Sequence, residues 1–446
     1  MTEITRRSAL GAAIAIPAAA ALTRAAFAAD PVEIDLFFPV PVQGMLANKM
    51  KELIDRFNGQ QQGVKATAVY TGSYDDTNLK TRAAIKTGKP PAVVIMSANF
   101  VREYVINGDV DPFDPIIERG GEKGGQTAGR FFEQFWSALK PNAVVDGKVY
   151  GIPYQNSTPL MYYSVGAFQD AGLDPDKPPA TWAEWLDAAK KLTKPGGDRW
   201  GVNWPNTYDY CGWIFSALTM QNGGQYYNHD YGGEVYYNSP SALGALTLVD
   251  TLVNKAKVMP PGVSDANTCT GAFFAGRLGM MLLSTGSLSF VRDNMKQPYK
   301  VAFLPQHMRH AAPIGGASLI LPKGNSPERQ AAAWTLISWL TSPETAGEWS
   351  RFTGYFSPRK AAYDLPEMKK YLEDHSDAKV ALDQLQYAVP WFDTFNTVAV
   401  RKAMEDSVQA IMSAKMTPAD GAAAAQKAAD ELLKPYVQQT ALKAIG

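Results

Sequence analysis

Cysteine is nearly absent from this chain of 446 residues, which has only Cys211 and Cys269. Two cysteines exclude a disulfide scaffold and a four-thiolate zinc site; they either pair with each other or stay as buried thiols. Histidine is almost as scarce, with 4 residues. The pair His307 and His310 has no carboxylate or thiolate at the spacing of metal ligands. We therefore expect neither a metal nor a cofactor.

No charge of either sign dominates the chain. Lys and Arg number 43, Asp and Glu number 43, and the formal net charge is therefore zero. Binding to a nucleic-acid backbone requires a clear basic excess, so we expect no nucleic acid as a partner. Hydrophobic residues make up 46% of the chain and aromatic residues 11%, which is enough for a sizeable core and excludes wholesale disorder.

Long apolar runs are missing after the first 28 residues, and those residues have the pattern of an export signal. The segment contains the twin-arginine motif Thr5-Arg6-Arg7-Ser8-Ala9-Leu10, an Ala-rich run to Leu22 and the cleavage motif Ala26-Phe27-Ala28. The apolar run is too short to span a bilayer of about 30 Å as a helix. We therefore expect residues 1–28 to be a twin-arginine signal peptide and the exported protein to be periplasmic.

Catalytic signatures are missing as well. The chain has no Gly-x-Ser-x-Gly elbow, no Gly-x-x-x-x-Gly-Lys-Ser/Thr phosphate loop and no His-Glu-x-x-His pair. The Gly-rich run 120–125 lacks the flanking strand and helix of a dinucleotide site. A glycosidase-type pair of carboxylates meets only in three dimensions, so an exported hydrolase stays an alternative. A binding protein is the stronger expectation, because the sequence contains no recognisable motif for a catalytic nucleophile, a general base or a metal site.

What the chain does contain is a regular alternation of strands and helices. The apolar patterns predict strands at Val32–Phe38, Val64–Tyr70 and Pro91–Met96, with a helix over 44–58 and another ending at Thr87-Gly88. Such alternation predicts an α/β fold with right-handed crossovers.

The alternation continues to the C-terminus. Strand-like runs occur in Lys148–Tyr163 and Gly279–Leu283, and helices are expected after the caps Thr181, Ser326 and Ser342. Two further helices, near 397–414 and 417–435, close the chain. No low-complexity linker divides it, so two lobes would have to be joined by short crossings.

Polar loops follow several of the predicted strands. Residues 71–74, 155–158, 284–287 and 315–318 lie at strand ends, where open α/β sheets bind ligands. Gly and Ser in these loops supply backbone N–H and hydroxyl donors for an anion. Residues 195–240 are dense in Trp and Tyr, which suit the faces of sugars or a choline head group and would equally well form a core.

Several of these segments together resemble one protein family. They are Gly72–Leu79, Pro153–Tyr163, Ala167–Pro175, Ser284–Leu288, Gly315–Leu319, Thr353-Gly354-Tyr355 and Ala361–Leu365. In this order they are similar to the extracellular solute-binding proteins (family 1) of ABC importers. Within that family they resemble most the members that bind sn-glycerol 3-phosphate or glycerophosphodiesters. The resemblance covers most of residues 32–436.

The resemblance implies a two-lobed α/β fold of the periplasmic-binding-protein type (type II). In that fold mixed sheets are flanked by helices, and a ligand cleft between the lobes closes about a hinge. The N-terminal lobe would comprise 29–156 and 315–350, and the C-terminal lobe 157–314 and 351–446. The implied partners are a small-molecule ligand and the permease subunits of an ABC transporter, and a monomer is the family expectation.

The resemblance also assigns residues to the ligand. Those that would hold the phosphate are Ser157, Ser284, Gly316, Tyr355 and Arg401. Tyr74 and Trp182 would line the side of the glycerol or the head group.

One position departs from the family pattern. The family places a glutamate just after the third strand to bind glycerol hydroxyls, whereas this chain has Ser97-Ala98-Asn99. Ala98 cannot make that contact, and Asn99 would replace it only in part. The expected ligand is therefore glycerol 3-phosphate, a glycerophosphodiester such as glycerophosphocholine, or another anionic glycerol or sugar derivative. A neutral sugar bound by the same fold is the alternative.

Overall fold

The computed structural model describes residues 30–39, 44–120 and 127–441. The predicted signal peptide, residues 1–28, lies outside these ranges. Within them, no helix combines the length and the apolar character needed to cross a membrane.

Strands and helices alternate along the described chain. The strands are β1 (Val32–Pro39), β2 (Val64–Gly72), β3 (Val93–Ser97), β4 (Val110–Asp111), β5 (Val144–Val145), β6 (Lys148–Val149), β7 (Ile152–Ser157), β8 (Pro159–Ser164), β9 (Trp200–Asn203), β10 (Leu278–Ser284), β11 (Tyr299–Ala302), β12 (Ala312–Pro313), β13 (Gly315–Pro322) and β14 (Ala388–Val389). The helices are α1 (Met45–Gln60), α2 (Tyr74–Lys86), α3 (Val101–Asn107), α4 (Asp114–Gly120), α5 (Ala128–Glu133), α6 (Val165–Asp170), α7 (Trp182–Leu192), α8 (Tyr208–Gln221), α9 (Pro240–Asp250), α10 (Ala266–Phe274), α11 (Leu288–Asn294), α12 (Pro327–Leu340), α13 (Pro343–Thr353), α14 (Pro366–Asp374), α15 (Ser376–Gln384), α16 (Thr397–Met412) and α17 (Pro418–Thr440).

Several helices begin at the caps that the sequence predicts. The Thr181 hydroxyl accepts a hydrogen bond from the backbone N–H of Glu184, and the Glu184 carboxylate accepts one from the N–H of Thr181. Ser326 and Ser342 cap α12 and α13, and a proline follows each of them in the first turn. These caps fix where each helix begins, because they satisfy N–H groups that have no partner inside the helix.

Two separate sheets form the framework. The first has the order β2-β1-β3-β13-β4, with β7 also paired to β13. In it β1 runs parallel to β2 and β3, whereas β13 runs antiparallel to β3, β4 and β7. The second sheet has the order β11-β8-β10-β9, in which β9 and β10 are parallel and the other pairs antiparallel. The expected two-lobed α/β fold with mixed sheets is confirmed.

Three segments of the chain cross between the lobes, and they pair with one another. At the first crossing only Thr158 separates β7 from β8, and at the second a single residue separates β12 from β13. Ser157 on the first crossing pairs with Gly315 on the second. The third crossing follows α13 and joins the first through the bridge between Asn156 and Phe356. The lobes are therefore connected by short, hydrogen-bonded links.

Each lobe has its own hydrophobic core. In the N-terminal lobe, Leu36 of β1 and Leu336 of α12 belong to one buried cluster. The core of the C-terminal lobe includes much of the aromatic run 195–240. Trp204 from that run stacks against Trp185, with ring centroids 6.0 Å apart. Most of these aromatic side chains thus serve packing, which was one of the two interpretations that the sequence left open.

The predicted lobe boundary at 350 falls within a helix that precedes the third crossing. The helix α13 continues to Thr353, and Trp349 and Tyr355 both belong to the core cluster of the N-terminal lobe. The lobe boundaries as a whole stay a prediction.

Both cysteines are free and buried. Cys211 lies in α8 and Cys269 in α10. Burial raises the pKa of both thiols above the usual value, which keeps them protonated and unreactive at neutral pH.

A buried ion pair joins α3 to the segment that precedes α16. Arg102 Nε lies 3.3 Å from Asp393 Oδ1, and Arg102 Nη2 donates to the carbonyl oxygen of His229 at 2.7 Å. Asn142 Nδ2 donates to Asp393 Oδ2 at 3.1 Å. Burial raises the pKa of Asp393 to about 6 although Arg102 lowers it, because desolvation of the carboxylate outweighs these contacts.

The substitution Gly201→Ala tests the close contact between β9 and α7. A Cβ at this position would lie 2.1 Å from the carbonyl oxygen of Ala189, so one of the two elements must shift. We expect the free energy of unfolding in urea to fall by about 1–3 kcal/mol. The control is Gly271→Ala in α10, where nothing lies within 4 Å of the added Cβ and alanine favours the helix. Equal stability of the Gly201 variant and the wild type would contradict this packing.

The pKa of Asp393 makes stability depend on pH in a defined direction. It is about 6 in the folded protein and about 3.9 in an unfolded chain, so the folded state binds more protons between these values. The contribution of Asp393 to the free energy of unfolding is therefore fully present below about pH 4, and it is lost as the pH rises through about 6.

We expect Asp393→Asn to remove this dependence. From about pH 4 to about pH 7, the difference in unfolding free energy between variant and wild type should shift by about 3 kcal/mol in favour of the variant. Urea denaturation at a series of pH values measures it, with Asp55→Asn on the surface of α1 as the control. A difference that stays constant with pH would show that Asp393 is ionised throughout.

Candidate functional site

An open cleft of about 450 Å³ lies between the lobes. Its lining includes residues of both sheets, the start of α2 and the start of α10. A larger depression of about 620 Å³ lies on the N-terminal lobe around Glu33, Lys89 and Arg329. None of the residues that the sequence assigns to a ligand lines this depression. The candidate site is therefore the cleft between the lobes.

Five of the sequence-predicted site residues line this cleft together. They are Tyr74, Ser157, Ser284, Gly316 and Tyr355. They come from α2, β7, β10, β13 and the segment after α13, so residues far apart in the chain meet at strand ends, as expected for open α/β sheets. Their convergence is observed, whereas their contact with a ligand stays a prediction.

The wall at Gly315 and Gly316 is bare backbone. Gly316 has a φ of +85°, and a Cβ there would lie 1.9 Å from the carbonyl oxygen of Gln155. At Gly315 a Cβ would lie 2.7 Å from the ring of Trp213. Only glycine therefore allows β13 to approach both β7 and this indole so closely.

Hydroxyl groups from both lobes lie at the cleft. Ser284 Oγ accepts a hydrogen bond from the N–H of Gly286 at 3.0 Å, so its own proton points to a different acceptor. Gln155 Nε2 donates to Tyr74 Oη at 3.0 Å, and Tyr74 is hydrogen-bonded to Tyr355. Burial raises the pKa of Tyr355 well above its usual value, which keeps this phenol a neutral donor.

The N-termini of α2, α8 and α10 open on the cleft, and each carries a partial positive charge. Ser73 and Asp76 form a capping box on α2. Asp265 caps α10 by accepting from the N–H of Thr268 at 2.7 Å. The backbone N–H groups of Ser73 and Thr268 lower the pKa of Asp76 and Asp265, so both carboxylates are ionised at neutral pH.

Three aromatic side chains that the sequence analysis did not select also line the cleft: Tyr210, Trp213 and Trp391. The ring centroids of Tyr210 and Trp213 are 5.9 Å apart, and those of Trp213 and Trp391 are 6.4 Å apart, both edge to face. Trp213 Nε1 donates to the carbonyl oxygen of Pro313 at 3.0 Å. The aromatic density of 195–240 was a signal for the first two residues. Nothing in the local sequence marks Trp391.

Arg401 lies behind the cleft wall and does not line it. Its side chain, on α16, is only 3% exposed, and its Nη2 lies 3.0 Å from Asp75 Oδ2. Its Nε lies 3.2 Å from Glu405 Oε1. Gly212 in α8 leaves room for it, since a Cβ there would lie 3.1 Å from Arg401 Cγ. Arg401, which the sequence analysis predicts to bind the phosphate, is thus held by two carboxylates. One of them, Asp75, lines the cleft.

Trp182, Ala98 and Asn99 are not brought to the cleft. Trp182 lies in the core of the C-terminal lobe, where its Nε1 donates to Gln221 Oε1 at 3.0 Å and its ring stacks on His307. Burial of this face of α7 against the core leaves its predicted ligand contact without support. Ala98 and Asn99 are 2% and 0% exposed in the turn after β3, and neither belongs to the lining.

The two histidines considered as metal ligands serve packing. His307 stacks on Trp182 and His310 on Tyr387, with centroid distances of 4.7 and 4.1 Å. In the described part of the chain, no group of three or more His, Cys, Asp or Glu side chains is arranged to hold a metal ion.

Known proteins similar to this chain are binding proteins. The sn-glycerol-3-phosphate-binding periplasmic protein UgpB of Escherichia coli (strain K12) is 26% identical over 420 residues, which cover 90% of this chain and 92% of that protein. The protein of the same name from Pectobacterium atrosepticum is 26% identical over 427 residues, covering 91% and 93%.

Solved structures share the fold. UgpB from Mycobacterium tuberculosis in complex with glycerophosphocholine has a TM-score of 0.79 at 25% identity, covering 91% of this chain and 99% of that chain. An ABC transporter solute-binding protein from Thermotoga lettingae bound with alpha-D-tagatose has a TM-score of 0.75 at 21% identity, covering 90% and 100%. The second likeness concerns the fold alone.

The assignment of the chain to a family rests on a match over most of its length. Residues 52–375 match the family described as bacterial extracellular solute-binding protein. This range contains the first crossing, the second crossing and the strands β2 to β13. The chain belongs to the bacterial extracellular solute-binding proteins.

Proposed function

We propose that this protein is the periplasmic binding subunit of an ABC importer. It captures glycerol 3-phosphate or a glycerophosphodiester such as glycerophosphocholine. The observation that carries the proposal is the meeting of hydroxyl groups and an aromatic wall at one cleft between two lobes, with a buried arginine paired to Asp75 of its lining. The relatives named for sn-glycerol 3-phosphate and the structural neighbour with glycerophosphocholine support the same class of ligand.

The phosphate would lie near the crossings. Ser157, Ser284 and Tyr355 offer neutral hydroxyl donors from both lobes, and the bare backbone at Gly316 allows a close approach. Three helix N-termini add partial positive charge. Arg401 would add a full positive charge from behind the wall, where its Nη2 lies 3.0 Å from Asp75 Oδ2 of the lining.

The head group would lie against the aromatic wall. Tyr210, Trp213 and Trp391 present rings to the cleft, and a cation over such a ring gains about 0.5–2 kcal/mol. Asp75 and Asp265 line the same cleft, whose lining among the described residues includes no Lys, Arg or His. A ligand that carries a positive group beside its phosphate matches this lining, which favours glycerophosphocholine over glycerol 3-phosphate.

The glycerol hydroxyls have no carboxylate at the position where the family places one. Ala98 stands there, and both Ala98 and Asn99 are buried outside the lining. Recognition through the phosphate and the head group fits this departure better than recognition through glycerol. A neutral sugar is the second candidate, because aromatic rings also pack against sugars and one structural neighbour is bound with alpha-D-tagatose.

Delivery follows the family mode of action. Rotation of the lobes about the three crossings would enclose the ligand, and permease subunits of the importer would receive it. The protein would reach the periplasm by the twin-arginine route. We propose binding without catalysis, since no His or Cys of the described chain lines the cleft to act as base or nucleophile.

Calorimetric titration of the purified, ligand-stripped protein tests the ligand class. We expect glycerophosphocholine to bind with micromolar affinity, about −8 kcal/mol, and more tightly than glycerol 3-phosphate. Maltose, trehalose and inorganic phosphate complete the panel and should bind weakly or not at all. Binding of the disaccharides alone would overturn the phosphate assignment and favour the sugar alternative. Release of choline or glycerol during the titration would reveal a hydrolase.

Tyr210→Leu tests the head-group side. Loss of the ring should weaken glycerophosphocholine by about tenfold, which corresponds to about 1.4 kcal/mol. Binding of glycerol 3-phosphate should stay nearly unchanged, because that ligand has no cation. Tyr70→Leu, a substitution of a 37% exposed side chain on β2, is the control. An equal loss for both ligands would place the ring beside the phosphate instead.

A further inference from the structure

Asp75 lines the cleft and also contacts Arg401. It lies in the first turn of α2, in the N-terminal lobe, whereas Arg401 comes from α16. Arg401 Nη2 lies 3.0 Å from Asp75 Oδ2 and 3.4 Å from Oδ1. The Asp75 side chain is 31% exposed and the Arg401 side chain 3%. A ligand in the cleft therefore meets the carboxylate of Asp75, and the guanidinium of Arg401 lies directly behind that carboxylate.

The positive charge of Arg401 is already balanced at this place. Asp75 contacts Nη2 of the guanidinium and Glu405 contacts its Nε. Asp76 and Asp265 add two ionised carboxylates to the lining. The surroundings of a bound phosphate thus carry more negative than positive charge among the described residues, and each further negative charge on the ligand is disfavoured.

We propose that Asp75 is a specificity-determining residue that makes the cleft prefer singly charged phosphodiesters to doubly charged phosphate monoesters. The inference rests on the proposed function, since it concerns the charge state of the phosphate in that cleft. A phosphodiester carries one negative charge at every physiological pH. A monoester has a second pKa near about 6 and carries close to two charges at neutral pH.

Asp75 does not belong to the N-terminal cap of α2. A substitution of Asp75 therefore tests its role towards the ligand without removing the cap. The capping box consists of Ser73 and Asp76. Asp76 accepts from both the N–H and the hydroxyl of Ser73, at 3.0 and 2.8 Å. An acidic residue in the first helical turn is mildly favourable wherever it stands, but that effect does not need a partner across the cleft. Asp75→Asn removes the charge and leaves the cap intact.

The pH dependence of monoester binding follows from the ligand. As the pH falls from about 7.5 to about 5, glycerol 3-phosphate gains a proton and becomes a monoanion like the diester. Asp76 and Asp265 stay ionised over this range, because backbone N–H groups lower the pKa of each. Arg401 stays charged at any such pH. Wild-type protein at pH 7.5 should therefore take up a fraction of a proton when it binds the monoester.

The experiment compares wild type, Asp75→Asn and Asp75→Glu by calorimetry with glycerophosphocholine and glycerol 3-phosphate as probes, in two buffers of different ionisation heat. In the wild type we expect at least about tenfold tighter binding of the diester at pH 7.5 and a smaller preference at pH 5. Asp75→Asn should strengthen monoester binding at pH 7.5 by about tenfold and remove the proton uptake. Asp75→Glu keeps the charge and should keep the wild-type preference.

The outcomes separate the inference from the proposed function. If the wild type binds neither probe, the proposed function fails, and this inference fails with it. If the wild type binds a probe but Asp75→Asn keeps the same ratio of affinities and the same proton uptake, the function stands and the role of Asp75 is wrong. Thermal unfolding of each variant checks folding, and Asp55→Asn on α1 is the matched control. An unfolded Asp75→Asn would show the pair to be structural and overturn the inference.

Discussion

The cleft exists because the segments that cross between the lobes are bonded to one another where the two sheets meet. Only Thr158 separates β7 of the first sheet from β8 of the second. Ser157 pairs with Gly315, and the N–H of Thr285 donates to the carbonyl oxygen of Thr158 at 2.9 Å. Side chains at the ends of strands from different sheets, such as Ser157 and Ser284, are thereby held at one place. The meeting of these hydroxyl groups at the cleft is thus a direct consequence of the way the lobes are joined.

The electrostatics of the cleft follow from burying one arginine. A buried guanidinium requires carboxylate partners, because an uncompensated charge in the interior is strongly destabilising. Arg401 has Asp75 and Glu405, and Asp75 also lines the cleft. The arrangement that stabilises the fold therefore leaves negative charge at the surface that a ligand meets. Helix N-termini and hydroxyl groups would attract the proposed phosphate without adding full charges, which agrees with the proposed ligand of low net charge.

Much of the fold was readable from the sequence, since strands, helical periods and caps are local. The helix that follows Thr181 begins at Trp182 and ends at Leu192 as predicted. The convergence of polar loops on one cleft was also predictable, because strand ends meet at sheet edges. The sequence did not show which face of its element a given side chain would occupy. Trp182 enters the core because α7 packs that side against the C-terminal lobe, and Trp391 reaches the cleft only through the tertiary fold.

The aromatic wall, like the hydroxyl groups, is bonded directly to a segment that crosses between the lobes. Trp213 lies on α8, yet its Nε1 donates to the carbonyl oxygen of Pro313, two residues before Gly315. Its ring packs against Gly315, where no side chain could fit. The indole therefore belongs at once to the cleft and to the second crossing. A rotation of the lobes that moves the second crossing would also move the ring of Trp213, because the ring packs directly against the backbone of Gly315. A rotation of the lobes and the shape of the aromatic side of the cleft would thus be coupled through Trp213.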